Sequence, residues 1–250
     1  MKEQVREQPA ILAAAERQMQ AWALAQEKED REMKSRGPQE LRASIHPCIA
    51  ITREAGAGGS EVANALGKML GWQVCDRNML DLMAERFRQS RTMLEFVDET
   101  EGTWVYDVLG TWLDHKIIPH EKYVAQLTRV VWSAARIASC VFVGRAAQFV
   151  LPREKSLAVR IVASPRFRAQ RLALEHHLDS AKAERLMQEL DRGRREFVTR
   201  YFHQGVDDPR LYDITLNSER LGIERTVRLI ASALADDPRF KGRLSAEAHR

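Results

Sequence analysis

Cysteine is scarce in this chain, with three residues in 250. Cys48, Cys75 and Cys140 lie far apart among apolar neighbours, a spacing that fits neither a zinc site nor a disulfide framework. Reduced, buried thiols are the expected state. Long apolar runs are also missing: none reaches the roughly 20 residues needed to span a bilayer. The opening, MKEQVREQPA, has no apolar signal core, so a cytoplasmic location and no membrane partner are expected. The seven histidines form no ligand pattern. His176 and His177 are adjacent and cannot share one helical face, and His115 and His120 have no cysteine near them. There is no internal repeat. The arginines are not interleaved with aromatics, and no nucleic-acid module is recognisable, which excludes nucleic acid as the expected partner.

What is present is an ordinary globular composition, 44% hydrophobic and 30% charged, enough for one sizeable domain and an extension. The formal charge is +4, with arginine far outnumbering lysine. Guanidinium groups grip phosphate in a bidentate way, although a GC-rich genome produces the same bias. The segment ILAAAERQMQAWALAQEKEDREMK carries Leu12, Ala15, Met19 and Trp22 at helical spacing before Gly37 and Pro38 stop it. Residues 1–44 are therefore expected to form an N-terminal helical extension that docks on the domain, dimerises, or recruits a protein partner.

From residue 45 to 236 the pattern alternates between strand and helix. PCIAITR, WQVCD, SCVFVGR, LAVRIVAS and YDITLNS are short apolar runs of the kind buried on both faces of a sheet. Amphipathic helical segments separate them, so the expected fold is α/β, a three-layer αβα sandwich on a five-stranded parallel sheet. Residues 88–139 read as a helical segment with aromatic interruptions. Residues 180–208 read as a long charged helix, and 237–250 as a tail.

The first strand runs into REAGAGGS, Arg53 to Ser60, which opens a helix. Phosphate-binding loops of the form G-x-x-x-x-G-K-[ST] occupy this place, with encircling amides, a lysine charge and a hydroxyl for magnesium. Gly58 and Ser60 match that template, but Arg53 stands for the first glycine and Gly59 for the lysine. A helix N-terminus favours an anion through its free amides and its dipole. Arg53, at the carboxyl end of the strand, is expected to replace the lysine charge. A glycine-rich turn without a ligand is the plainer alternative. Glu54 and Glu61 flank the loop and either orient Arg53 or face water. Asp76 suits a helix N-cap as well as a ligand contact.

Taken together, ITREAGAGGSEVANALGKMLGW, VFVGRAAQFVL and DPRLYDITLNSERLGIERTVRLI resemble the cytidylate kinase-like family over about residues 47–235. The resemblance implies a P-loop NTPase-like fold without the loop lysine, and a phosphotransferase that moves the ATP γ-phosphoryl group to a nucleoside monophosphate, CMP or dCMP. It implies ATP and Mg2+ as cofactors. Gly56, Ala57, Gly58, Gly59, Ser60 and Glu61 would bind the ATP phosphates, with Ser60 on the metal side. Arg53, Arg145 and Arg194 would be catalytic. Asp76, Arg145, Arg168 and Arg171 would contact the acceptor, and Arg192 and Arg195 would join Arg194 in an arginine-bearing lid. The sequence departs from the pattern at Ala146, where cytidylate kinases carry aspartate, and at Thr52, where serine is usual. A catalytically degenerate nucleotide-binding module, or a kinase for another small acceptor, is the alternative.

Overall fold

A computed structural model describes residues 43–76, 80 and 122–240. The expected N-terminal extension, the helix expected just after Asp76, most of the 88–139 segment and the last ten residues lie outside the described residues. Strands β1 (Cys48–Arg53), β2 (Gln73–Cys75), β3 (Cys140–Val143), β4 (Ser156–Val162) and β5 (Ile214–Asn217) form one sheet in the order β2-β3-β1-β4-β5. All pairings are parallel, with Cys48 beside Cys140 on one side and Ser156 on the other. The helices are α1 (Gly59–Leu70), α2 (Lys122–Ile137), α3 (Ala147–Val150), α4 (Pro165–His176), α5 (Ser180–Phe202) and α6 (Ser218–Asp236).

The apolar runs are continuous because both faces of the sheet are covered. Side chains alternate along a strand, and here each alternate set meets a different layer. Cys48, Ala50, Cys140 and Phe142 face α2, α3 and the end of α5, where Val198 and Phe202 are buried. Ile49, Ile51, Val141, Val143, Val159 and Ile161 face α1 and α6, through Val62, Leu66, Val227 and Ile230. A third, smaller cluster joins Ala55 of the loop to Ala169 and Leu172 of α4 and to Ala183 and Met187 of α5. Residues 237–240, expected as tail, pack on the domain instead. Phe240 is fully buried in the second cluster, and the Arg239 guanidinium donates to the carbonyl oxygens of Arg153 and Ser156. No described helix is long and apolar enough to cross a membrane.

The layer order places the carboxyl ends of β1, β3 and β4 side by side at one edge of the sandwich, which is where open parallel sheets bind ligands. Phe142 is fully buried at the centre of one layer. Phe142→Ala should lower the unfolding free energy by about 3–5 kcal/mol, the usual cost of truncating a core phenylalanine. Denaturant unfolding of the two proteins measures this, and a loss below about 1 kcal/mol would contradict the burial described.

Candidate phosphate-binding crevice

Three described helices have their first amides capped by a side chain. Ser164 accepts from the Phe167 N–H of α4, Asp179 from Lys182 of α5, and Asn217 from Arg220 of α6. Helix α1 has no such cap: its N-cap is Gly58, in the left-handed region at φ 77°. Side-chain caps satisfy the orphan donors of a helix start. Without one, the N–H groups of Gly58, Gly59 and Ser60 are left pointing out of the helix end, where the dipole favours negative charge. Ser60 is exposed in that first turn. The loop behind it is held by a hydrogen bond from the Ala57 N–H to the Glu54 carbonyl. The buried Ser218 hydroxyl also donates to the Ala57 carbonyl at 2.6 Å.

Arg53 explains why no lysine stands at position 59. A Cβ on Gly59 would fall 2.5 Å from Cβ and 2.7 Å from Cγ of Arg53. The arginine stem therefore fills the volume in which any side chain at position 59 would have to start. Farther along, the guanidinium lies against Gly144, so that a Cβ there would collide with Nη1. Gly144 itself is at φ 78°. The charge thus enters the crevice from the end of β1 and comes to rest at the end of β3.

Arg145 and Ala146, immediately after Gly144, both adopt left-handed backbone, at φ 50° and 55°. Non-glycine residues in that region are uncommon and gather at functional turns. The turn carries the Arg145 guanidinium over the ring of Phe197 on α5, 5.4 Å from its centroid. Arg194, one turn earlier on the same helix, is tied to Asp191 at 3.1 Å. Asp191 in turn accepts from the Ala55 N–H of the loop at 2.8 Å. Loop, β3 end and α5 are therefore joined around one crevice, and Arg53, Arg145 and Arg194 belong to it.

The other candidate arginines divide differently. Arg168 is buried, with Nε donating to the Ala163 carbonyl at 3.2 Å and Nη1 to the Ala55 carbonyl at 3.2 Å and to Asp191 at 2.5 Å. It also lies 3.4 Å from Glu54. Arg168 is not an acceptor contact but a strut beneath the loop, its Nε and Nη1 donating to protein oxygens. Arg171 lies on the outer flank of the loop, paired with Glu61 at 2.5 Å and with Nη2 3.6 Å from where a Gly58 side chain would begin. Arg192 and Arg195 are exposed on the outer face of α5, and Arg192 stands 3.8 Å from Glu196. The structure does not bring them to the crevice. Asp76 follows β2, and its carbonyl accepts from the Leu80 N–H at 3.0 Å.

Three residues of the site were not read from the sequence in these roles. Glu54 accepts from the Ala163 N–H at 3.2 Å and lies 3.6 Å from Arg160. Arg160, beside Thr52 in the β1–β4 register, donates to the Val206 carbonyl and to Asp207. An arginine inside the apolar run LAVRIVAS was the signal for it. Next to it, burial raises the Tyr212 phenol above its ordinary value; it stays protonated at neutral pH and donates to the Val206 carbonyl at 2.7 Å. Asp191 is the third, three residues before Arg194.

A model of the cytidylate kinase-like family matches residues 48–220. Among solved structures, an uncharacterised protein from Eubacterium ventriosum superposes with a TM-score of 0.59 at 22% identity, over 75% of this chain and 97% of that one. That likeness carries the fold. A shikimate kinase from Bacteroides thetaiotaomicron superposes with a TM-score of 0.43 at 15% identity, over 75% of this chain and 98% of the other. A comparison with curated proteins gave no match.

The clash at Gly59 has a measurable consequence. Gly59→Ala should cost about 1–3 kcal/mol of stability, as overpacking does, and the cost should fall by at least about half in an Arg53→Gly background, which removes the Cβ and Cγ that the new methyl would meet. Unfolding midpoints of the four proteins read the coupling; equal costs in both backgrounds would separate the two residues.

Proposed function

The chain belongs to the cytidylate kinase-like family, and on that premise we propose that it transfers the γ-phosphoryl group of ATP to a nucleoside monophosphate, CMP or dCMP first among them. Membership of a kinase-like family supports phosphoryl transfer as the class of chemistry. The observation that carries the reading is the uncapped start of α1 with the Arg53 stem lying where a lysine would begin. The amides of Gly58, Gly59 and Ser60 would receive the phosphates, and Arg53 supplies the cation that the loop lacks at position 59.

In the reaction an oxygen of the acceptor phosphate forms a new bond to the γ-phosphorus while the bond to the β,γ-bridging oxygen breaks. ADP leaves with that electron pair. The acceptor oxygen is already largely ionised near neutral pH, so no general base is required. What is needed is alignment and positive charge around the transferring group. Arg145, in the turn after β3, and Arg194, on α5, suit the acceptor and transferring phosphates. Glu54, Glu61 and Asp191, the described carboxylates beside the loop, are each paired with an arginine.

Magnesium fits the exposed Ser60 hydroxyl in the first turn of α1. Among the described residues no group of three His, Cys, Asp or Glu could hold a metal, so the ion would be held between Ser60 and the nucleotide. There it would neutralise phosphate charge. A second reading, nucleotide binding without transfer, draws on the glycine in place of lysine at position 59 and on Ala146 in the turn after Arg145.

The test follows ADP release from MgATP against a panel of nucleoside monophosphates and small hydroxyl acceptors. Turnover with CMP or dCMP, reduced by about 10²–10³ in kcat/KM by Arg53→Ala, is the expected result. ATP binding without turnover on any acceptor would select the second reading. Turnover unaffected by Arg53→Ala would remove that residue from the machinery.

A further inference from the structure

One carboxylate fastens the phosphate loop to the long helix. Asp191, only 14% exposed at its side chain, lies midway along α5. Its Oδ1 accepts from the Ala55 N–H at 2.8 Å and from Arg194 at 3.1 Å. Its Oδ2 accepts from Arg168 at 2.5 Å, and Arg168 returns to the Ala55 carbonyl at 3.2 Å. Ala55 is thereby held at both its N–H and its carbonyl by a ring that closes through Asp191. A carboxylate drawn out of water keeps its charge when charged and amide donors replace the solvent, and the donors here come from the loop, α4 and α5.

Two features separate this contact from ordinary packing. Ala55 precedes the open amides of Gly58, Gly59 and Ser60, so the carboxylate holds the loop without occupying the place of a phosphate. The same oxygen that holds the loop also holds Arg194, which is 27% exposed at the crevice edge. A displacement of the loop therefore pulls on the arginine through one atom.

We propose that Asp191 is a positioning residue for phosphoryl transfer, setting Arg194 in register with the phosphate loop so that the two act as one body. The proposal rests on the phosphotransferase reading of the crevice. Asp191 touches neither substrate nor metal in this role; it works through Arg194 and Ala55.

The experiment combines amide hydrogen exchange at Ala55 with steady-state kinetics on the full chain. Asp191→Ala should speed exchange at Ala55 by about tenfold or more and lower kcat/KM on the order of ten- to a hundredfold, through both KM for MgATP and kcat. Asp191→Asn keeps Oδ1 as an acceptor but removes the charge that pairs with Arg194 and sets an amide NH2 against Arg168 in place of Oδ2. It should speed Ala55 exchange less than Asp191→Ala does, with kcat reduced. In an Arg194→Ala background, Asp191→Asn should cost nothing further in kcat, since the residue it positions is gone.

The proposal is overturned if Ala55 exchange is unchanged in Asp191→Ala, or if the Asp191→Asn and Arg194→Ala losses multiply in full. It is equally overturned if Asp191→Asn lowers only the melting temperature while kcat stays at the wild-type level. Should Asp191→Ala fail to fold, the Asp191→Asn and Arg194→Ala pair carries the test. Absence of turnover in the wild type would defeat the phosphotransferase reading and with it the role proposed for Asp191, whereas Ala55 exchange would still report the tie itself.

Discussion

The crevice depends on a single steric exchange: the Arg53 stem occupies the space above position 59, and glycine is there because nothing larger fits. Much else follows from that occupancy. The cation arrives from the strand and not from the helix, so the first turn of α1 carries only backbone to meet an anion. The guanidinium lies against Gly144, whose left-handed backbone, at φ 78°, favours glycine. The turn after β3 then leaves through two successive left-handed residues, Arg145 and Ala146, which brings a second arginine to the same place. On the proposed function, the missing lysine is one side of a compensated pair, and the contacts of Arg53 with Gly59 and Gly144 are its visible trace.

Guanidinium groups crowded at one strand edge repel each other unless carboxylates are interleaved with them. Glu54 and Asp191 supply that interleaving beneath the loop, between Arg160, Arg168 and Arg194. Charge pairs of this kind contribute less to net stability than to geometry, because desolvation offsets much of their attraction. Their value here is directional. They set the loop at a defined height over the sheet and give α5 a fixed point of contact with it. The small apolar cluster of Ala55, Ala169, Leu172, Ala183 and Met187 packs the loop against α4 and α5 beside those pairs.

The sheet was legible in the sequence because strands buried on both faces leave unbroken apolar runs, and all five runs became strands in the expected architecture. The loop was legible for a related reason: glycines clustered between an apolar run and an amphipathic helix have few other uses. Arg168 was misread because the helix PRFRAQRLALEH has little amphipathic contrast, so nothing in its spacing shows which arginine turns inward. Arg194 is set apart from Arg192 and Arg195 by its contact with Asp191, while those two stay exposed. Asp191 itself could not be read, since its loop partner lies 136 positions away and the pairing exists only after α5 packs across the loop. The Phe240 contact was missed because a lone phenylalanine among charges carries no periodic signal.

The central claim is that backbone amides at the start of α1, assisted by a guanidinium from the preceding strand, seat nucleotide phosphates without an ammonium group. The most direct measurement is an amide-resolved NMR titration with MgATP. The account predicts large saturable shifts at Gly58, Gly59 and Ser60, with the Arg53 side-chain N–H signals moving in parallel. Amides at these three positions that remain unmoved at millimolar nucleotide would contradict it.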